Sequence, residues 1–304
     1  MGRMKNMNHK KEMIGFIGLG VMGESMARNL MANGYSVNVY TRTKEKAKRL
    51  IAEGAKWVEN PKEMAGNTEI IITMVGYPKD VENIYFGEQG IYAGIKAGSI
   101  VIDMTTSTPS LAKKIYEEGK KREVHALDAP VSGGDIGAKK GTLSIMVGGD
   151  RQTFQECHSL LSTLGENIVY QGPEGSGQHT KMCNQIAIAS NMVGVTEAFV
   201  YAEHAGLDPE TVLKSIRNGA AGSWSMSNLI PRVIKQDYSP GFFIKHFIKD
   251  MGIALEEAEK MSLRLPGLEL AKTLYDSLAE QGEENSGTQA LIKYWNLSME
   301  DSGS

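Results

Sequence analysis

Two stretches of this chain combine residue types at spacings that chemistry can use. The first is Gly18-Leu19-Gly20-Val21-Met22-Gly23, which follows an apolar run and opens a segment with helical apolar spacing. Glycine at the first position permits a tight turn. At the second it lets backbone approach a pyrophosphate, and at the third it lets a helix pack on a strand. Phosphates then meet unpaired N–H groups at a helix start, where the helix dipole is positive. Ordinary turns also collect glycines, and the setting between strand and helix is what favours the nucleotide reading here. The second stretch is Gly175-Ser176-Gly177-Gln178-His179-Thr180-Lys181-Met182-Cys183-Asn184. Two glycines lead into a long apolar segment, so Lys181 falls on its first or second helical turn, with Asn184 at i+3 on the same face. An ammonium in a crevice can give a proton to the alkoxide formed when hydride reaches a carbonyl, and the neutral amine can take it back in oxidation. The competing reading is a lysine that snorkels to solvent.

Two more segments bear on the same chemistry. About twenty residues past the glycines, where NAD enzymes place an acid for the ribose 2′-hydroxyl, the chain reads Tyr40-Thr41-Arg42-Thr43-Lys44-Glu45-Lys46. An arginine there can pair with a 2′-phosphate that an acid would repel, so NADP is expected over NAD. A solvated, basic helix start is the plainer alternative. Asp128-Ala129-Pro130-Val131-Ser132-Gly133-Gly134 follows another apolar run. Its proline and paired glycines suit a loop whose amides and one hydroxyl meet a carboxylate, or simply a glycine-rich turn.

The elements that would position these groups come in two styles. Up to residue 173, short apolar runs at 13–17, 36–40, 70–75, 100–103, 124–128 and 142–147 alternate with helical patterns such as 25–32, 44–52 and 110–121. Several runs are apolar throughout, which suits strands covered on both faces. Asn60-Pro61 reads as a helix cap followed by a first-turn proline, and Gly34 and Gly54 stand where helices should end. The pattern predicts an α/β unit with a doubly wound, mostly parallel sheet. Beyond it, 177–205 reads as one long helix, Asp208-Pro209 starts another, and 250–261 and 266–281 continue in helical style with no convincing strand. The expected organisation is a polar tail at 1–12, a nucleotide-binding domain at 13–173, an all-helical domain at 174–297 and a frayed end at 298–304.

Bulk composition narrows the classes. The 304 residues carry 33 basic and 36 acidic side chains, a net charge of -3, so no general electrostatic pull toward nucleic acid or an anionic membrane is expected. No run approaches the roughly 18 apolar residues of a membrane helix, and the polar start lacks the apolar core of a signal peptide; a cytoplasmic protein is expected. Cys157 and Cys183 show no metal-ligand spacing and read as reduced, mostly buried thiols. Seventeen scattered methionines read as core filler. No set of Asp, Glu and His suggests a catalytic metal.

From Gly15 to about Trp295 the chain resembles the β-hydroxyacid dehydrogenases, the group of 3-hydroxyisobutyrate dehydrogenase, tartronate semialdehyde reductase and the glyoxylate/succinic semialdehyde reductases. The resemblance rests on 15–23, Ser132-Gly133-Gly134, the Gly175-to-Asn184 stretch and Lys249-Asp250 ahead of Ala254-Leu255-Glu256. It implies hydride exchange between NADP(H) and a small hydroxy acid or semialdehyde. Lys181 is then the general acid/base, Asn184 a substrate-positioning residue and Asp250 the group that orients the lysine. Ser132, Gly133 and Gly134 hold the substrate carboxylate and Phe242 closes over the pocket. Gly18 to Gly23, Thr41, Arg42, Thr43, Lys46, Met74, Val75, Thr106 and Lys249 meet the cofactor. Taken alone, Asp250 reads as a helix cap, Phe242 and Trp224 as core, and His125 and His179 as structural or exposed. The family's long helix implies a homodimer or homotetramer. Two rivals stay open: an imine reductase-like enzyme, which usually replaces the lysine, and a non-catalytic NADP-binding sensor, which has no need of Lys181, Asn184 and Asp250 together.

Overall fold

The computed structural model describes residues 13–295; the two expected tails, 1–12 and 298–304, lie outside that range, as do the last two residues of the expected helical domain. The chain forms two compact units that divide between Lys181 and Met182. The sequence pattern places the boundary at the start of the long helix, whereas the units divide inside it.

The first unit alternates strand and helix. β1 (Met13–Ile17), α1 (Val21–Ala32), β2 (Ser36–Tyr40), α2 (Lys48–Ala52), β3 (Lys56–Trp57), α3 (Pro61–Asn67), β4 (Ile70–Thr73), α4 (Pro78–Phe86), β5 (Ile100–Asp103), α5 (Pro109–Lys121) and β6 (His125–Asp128) come first. β7 (Val131–Ser132), α6 (Gly134–Lys140), β8 (Leu143–Gly149), α7 (Arg151–Leu161) and β9 (Gly165–Gly172) complete it. The strands join in one sheet in the order β3-β2-β1-β4-β5-β6-β8-β7, with β9 on the other side of β8. The first six of these run parallel, and β8 turns antiparallel to β6 and β7. Strand order reverses between β1 and β4, the switch point where open α/β sheets take ligands at their carboxyl ends.

The unbroken apolar runs follow from burial on both faces. Ile14 and Phe16 of β1 pack with Met26, Ala27 and Leu30 of α1, while Ile17 faces a second cluster with Met64, Ile71 and Tyr85. Asn60 caps α3 as expected, its Oδ1 accepting from the Glu63 amide at 2.8 Å with Pro61 in the first turn. Residues 44–52 form a 3₁₀ turn (Lys44–Ala47) followed by α2 rather than one helix. β4 stops at Thr73, short of the expected residue 75, because the Val75 amide leaves the ladder and donates to Thr105 Oγ1 at 3.0 Å.

α8 (Ser176–His204) opens within the first unit and runs on into the second. α9 (Pro209–Ile216), α10 (Trp224–Asn228), α11 (Ile230–Ile234), α12 (Ile244–Lys260) and α13 (Pro266–Leu278) follow. Their largest core joins Met192, Phe247, Met251, Leu268, Tyr275 and Leu278. The only extended pairing described there is an isolated bridge between Phe243 and Gly287. α12 starts six residues before the expected position, so Asp250 sits buried in mid-helix and is not a cap. Trp224 is 58% exposed on the first turn of α10, not core, because the apolar side of that short helix is taken by Met226. Cys157 is buried as expected, but Cys183 is exposed, since it lies on the solvent side of α8, turned away from buried Lys181. Among the described residues no helix is long and apolar enough to cross a membrane.

Candidate active site

The glycine turn sits at the switch point. Gly18 has φ +99°, and a Cβ there would lie 2.1 Å from the Met74 carbonyl at the end of β4. A Cβ on Gly23 would meet the Gly18 carbonyl at 1.9 Å, so α1 packs directly on the turn. Gly20 is different: nothing lies within 4 Å of its would-be Cβ, and no side chain caps the helix start that follows. The turn is thus closed on the protein side and open at the second glycine, with α1's first N–H groups facing that opening. That fits a bound dinucleotide pyrophosphate. Leu19 is buried, and Val21 and Met22 begin the helix.

Beyond the end of β2 the surface is cationic. Thr41 is half-buried, while Arg42, Thr43, Lys44 and Lys46 are exposed. Arg42 donates from Nη1 to Asp80 Oδ1 of α4 at 2.9 Å, with its side chain still 82% exposed. Lys44 lies over the Trp57 ring and 3.2 Å from Glu59. Lys46 carries its charge into solvent.

The loops after β4, β5 and β6 are tied together. Met74 and Val75 are half-buried after β4, and Thr106 is half-buried after β5. Asp103, at the end of β5, accepts from Thr73 Oγ1 at 2.8 Å and from the Thr105 amide at 3.1 Å. Burial pushes its carboxyl up to about 6, against these hydrogen bonds. Asp128 pairs with it across the β5–β6 ladder. Burial also raises the Asp128 carboxyl, in spite of amides donated by Gly175 and Gln178, each at 2.8 Å. Asp128 therefore anchors the start of α8, a role no local pattern announces. The loop beyond it holds Gly133 at φ +124° and Gly134 at +64°, backbone that only glycine adopts cheaply, with the Ser132 side chain half-buried beside them.

Lys181 rises from the second turn of α8 and is only 6% exposed. A lysine snorkelling to water would not be buried to that degree, so that alternative falls away. His125 is exposed and His179 half-buried.

In the helical unit the polar residues form their own chain. Half-buried Asn184 donates from Nδ2 to Gln185 Oε1 at 2.7 Å, and Gln185 Nε2 donates to Asp250 Oδ2 at 2.6 Å. Lys249 reaches Asp250 Oδ1 at 2.8 Å, with the two side chains 13% and 2% exposed. Phe242 is half-buried against the Phe247 ring, 5.7 Å between centroids. Sequence reasoning missed Gln185, 1% exposed and adjacent to Asn184. A glutamine amid the apolar positions of the long helix was the available signal.

Comparisons with known proteins cover nearly the whole described chain. Residues 13–172 match the NAD binding domain of 6-phosphogluconate dehydrogenase, and residues 175–295 match the NAD-binding domain of NADP-dependent 3-hydroxyisobutyrate dehydrogenase. An uncharacterized oxidoreductase of Bacillus subtilis, YkwC, is 62% identical over 285 residues, covering 94% of this chain and 99% of that protein. The 2-hydroxy-3-oxopropionate reductase of Escherichia coli is 38% identical over 280 residues, covering 92% and 96%. A crystal structure of 3-hydroxyisobutyrate dehydrogenase from Salmonella typhimurium superposes with a TM-score of 0.85 at 26% identity, covering 93% of this chain and 99% of that one.

Proposed function

This chain belongs to the 3-hydroxyisobutyrate dehydrogenase group of the β-hydroxyacid dehydrogenase family, and we propose that it is an NADP-dependent member whose acid/base is Lys181. The family makes it an NAD(P)-dependent oxidoreductase of CH–OH groups. The substrate class we assign is a small hydroxy acid and its semialdehyde. The observation that carries the reading is Lys181, a buried lysine one turn beyond the start of α8 that Asp128 anchors.

When bound, the reduced dinucleotide supplies hydride to the carbonyl carbon of the aldehyde. Lys181 Nζ gives its proton to the developing alkoxide oxygen: the N–H bond breaks as the O–H bond forms, and the neutral amine regains a proton from solvent. In oxidation the same amine removes the hydroxyl proton. Ser132 Oγ and the amides of Gly133 and Gly134 donate to the substrate carboxylate. Asn184 positions the substrate and Phe242 gives it an apolar contact. Asp250, engaged by Gln185 and Lys249, fixes the polar residues of the helical unit, and Lys249 supplies positive charge for the cofactor. Arg42, aided by Thr41, Thr43 and Lys46, meets the 2′-phosphate. Met74, Val75 and Thr106 lie on the nicotinamide side. The long helix of the family also leads us to propose a homodimer or homotetramer, which light scattering on a sizing column would decide.

The test is loss of NADPH absorbance with glyoxylate, succinic semialdehyde, tartronate semialdehyde or methylmalonate semialdehyde, run beside Lys181→Ala. We expect one aldehyde acid to be reduced, and the variant to bind NADPH but not turn over. Preference for NADH would overturn the Arg42 assignment alone. Tight NADPH binding with no aldehyde acid reduced would overturn the aldehyde-acid reading in favour of an imine reductase-like enzyme or a sensor.

A further inference from the structure

We propose that Gln178 is a positioning residue, which holds the 105–107 loop in fixed register with the helical turn carrying Lys181. The inference rests on the reading of Lys181 as acid/base and Thr106 as a neighbour of the nicotinamide.

Gln178 is 0% exposed. Its Oε1 accepts from the Ser107 amide at 3.0 Å, and its Nε2 donates to the Thr105 carbonyl at 2.7 Å. Its own amide donates to Asp128 Oδ2 at 2.8 Å. One residue thereby joins the end of β6, the loop after β5 and the first turn of α8. The side-chain bonds bracket Thr106, one on each side of it. Thr105 carries the link onward, because its Oγ1 accepts from the Val75 amide at 3.0 Å. The loops flanking the nicotinamide side are therefore referenced to α8 through one carboxamide.

The chemistry of the contact demands that group. One partner is a backbone donor and the other a backbone acceptor, so the side chain must accept at one end and donate at the other. An ionised carboxylate only accepts, and a thioether replaces neither bond well. Lys181 lies three residues on, along the same flank of a rigid helix. The hydrogen-bonded loop and the proton donor thus cannot shift independently. Misplacing reacting groups by about 1 Å can cost about 100-fold in rate, which is the scale such a link protects.

The experiment compares Gln178→Met and Gln178→Glu with the parent and with Lys181→Ala, all as the full chain. The readings are kcat and KM for the reduced aldehyde acid, NADPH affinity by fluorescence titration, and amide hydrogen exchange over residues 105–107. For Gln178→Met we expect kcat to fall about 10- to 100-fold, with NADPH affinity within about threefold and faster exchange at Ser107. Gln178→Glu should be slow at high pH, where its carboxylate faces the Thr105 carbonyl. Its kcat should climb toward the parent's as pH falls, because the protonated acid again donates to Thr105 and accepts from Ser107. The ratio of variant to parent kcat should therefore rise as pH falls, beyond any rise the parent shows from its own proton donor.

A Gln178→Met kcat within about twofold of the parent overturns the proposal. So does a Gln178→Glu pH profile parallel to the parent's, which also decides the matter if Gln178→Met does not fold. Should Lys181→Ala keep its turnover, the acid/base reading fails first and Gln178 has no proton donor to position. If Lys181→Ala is inactive while Gln178→Met is fast, only the positioning role is lost.

Discussion

The two ends of the proposed dinucleotide site are built on opposite principles. At the end of β2, Arg42 is 82% exposed with one described ion pair, to Asp80, and Lys46 stands in solvent. At the ends of β5 and β6 and on the first turns of α8, Asp103, Asp128, Gln178 and Lys181 are all buried, and the first three share hydrogen bonds with neighbouring backbone. An exposed charge is screened and adaptable, so it can choose between two phosphate patterns at small energetic cost. A buried polar cluster must be satisfied as a whole, so it holds one geometry and makes each member expensive to change. The roles proposed for Arg42 and Lys181, cofactor selection and proton transfer, would thereby fall in surroundings that suit them.

The largest expected effect tests the buried end. Lys181→Ala should lower kcat by about 10²- to 10⁴-fold, the usual contribution of a positioned acid/base, while NADPH still binds. A variant that loses NADPH binding in parallel would show that the two ends are not separable, and the contrast would break.

Asp103→Asn comes next. The parent carboxyl titrates at about 6 against an ordinary value of 3.8, so the folded state holds the proton longer than the unfolded chain. Stability from this group is therefore fully present below about pH 4 and is lost as pH rises through 6. Asparagine accepts the same bonds from Thr73 and Thr105 without charge. Chemical denaturation across this window should show a decline steeper in the parent than in the variant by on the order of 3 kcal/mol, with Asp128 still contributing in both. Equal pH slopes would mean that Asp103 is not held as tightly as its burial implies.

The smallest effect belongs to the exposed end. Arg42→Ala should raise the NADPH KM about tenfold and leave NADH within about twofold. Added salt should narrow the gap between parent and variant, because the charge is screened in water. A salt-independent gap would place Arg42 in a desolvated contact and blunt the contrast from the other side.

How much could be read in advance differs between the same two ends. Gly18, Gly20 and Gly23 were legible because a turn, an open approach and a close helix crossing each leave a glycine at a set spacing. The exposed basic stretch beyond β2 was legible because Arg42 and the lysines follow a strand with no carboxylate before Glu45. The bounds of β1 and β5 were legible because their runs are apolar and mostly buried, and those of β2 because β-branched Val37 and Val39 lie between the Gly34 helix end and the Thr41-Arg42-Thr43 turn. β9 was not, since its exposed side makes Gly165–Gly172 look like loop. The true start of α12 was hidden by the polar residues Lys245, His246 and Lys249 in its first turns.

The buried network was scarcely legible. Gln178 bonds to residues 71 and 73 positions away, Asp128 to one 47 away, and Gln185 to one 65 away. No local period records such pairs. The order of residues along the chain was enough for a strand–helix alternation, a phosphate turn and a lysine on a helix, because these depend on neighbours within a turn or two. Whether that lysine is buried, which carboxylates hold the helix that bears it, and that Cys183 faces water were settled by folding alone. The physical reason is that burial and hydrogen-bond partnership are properties of distant segments brought together.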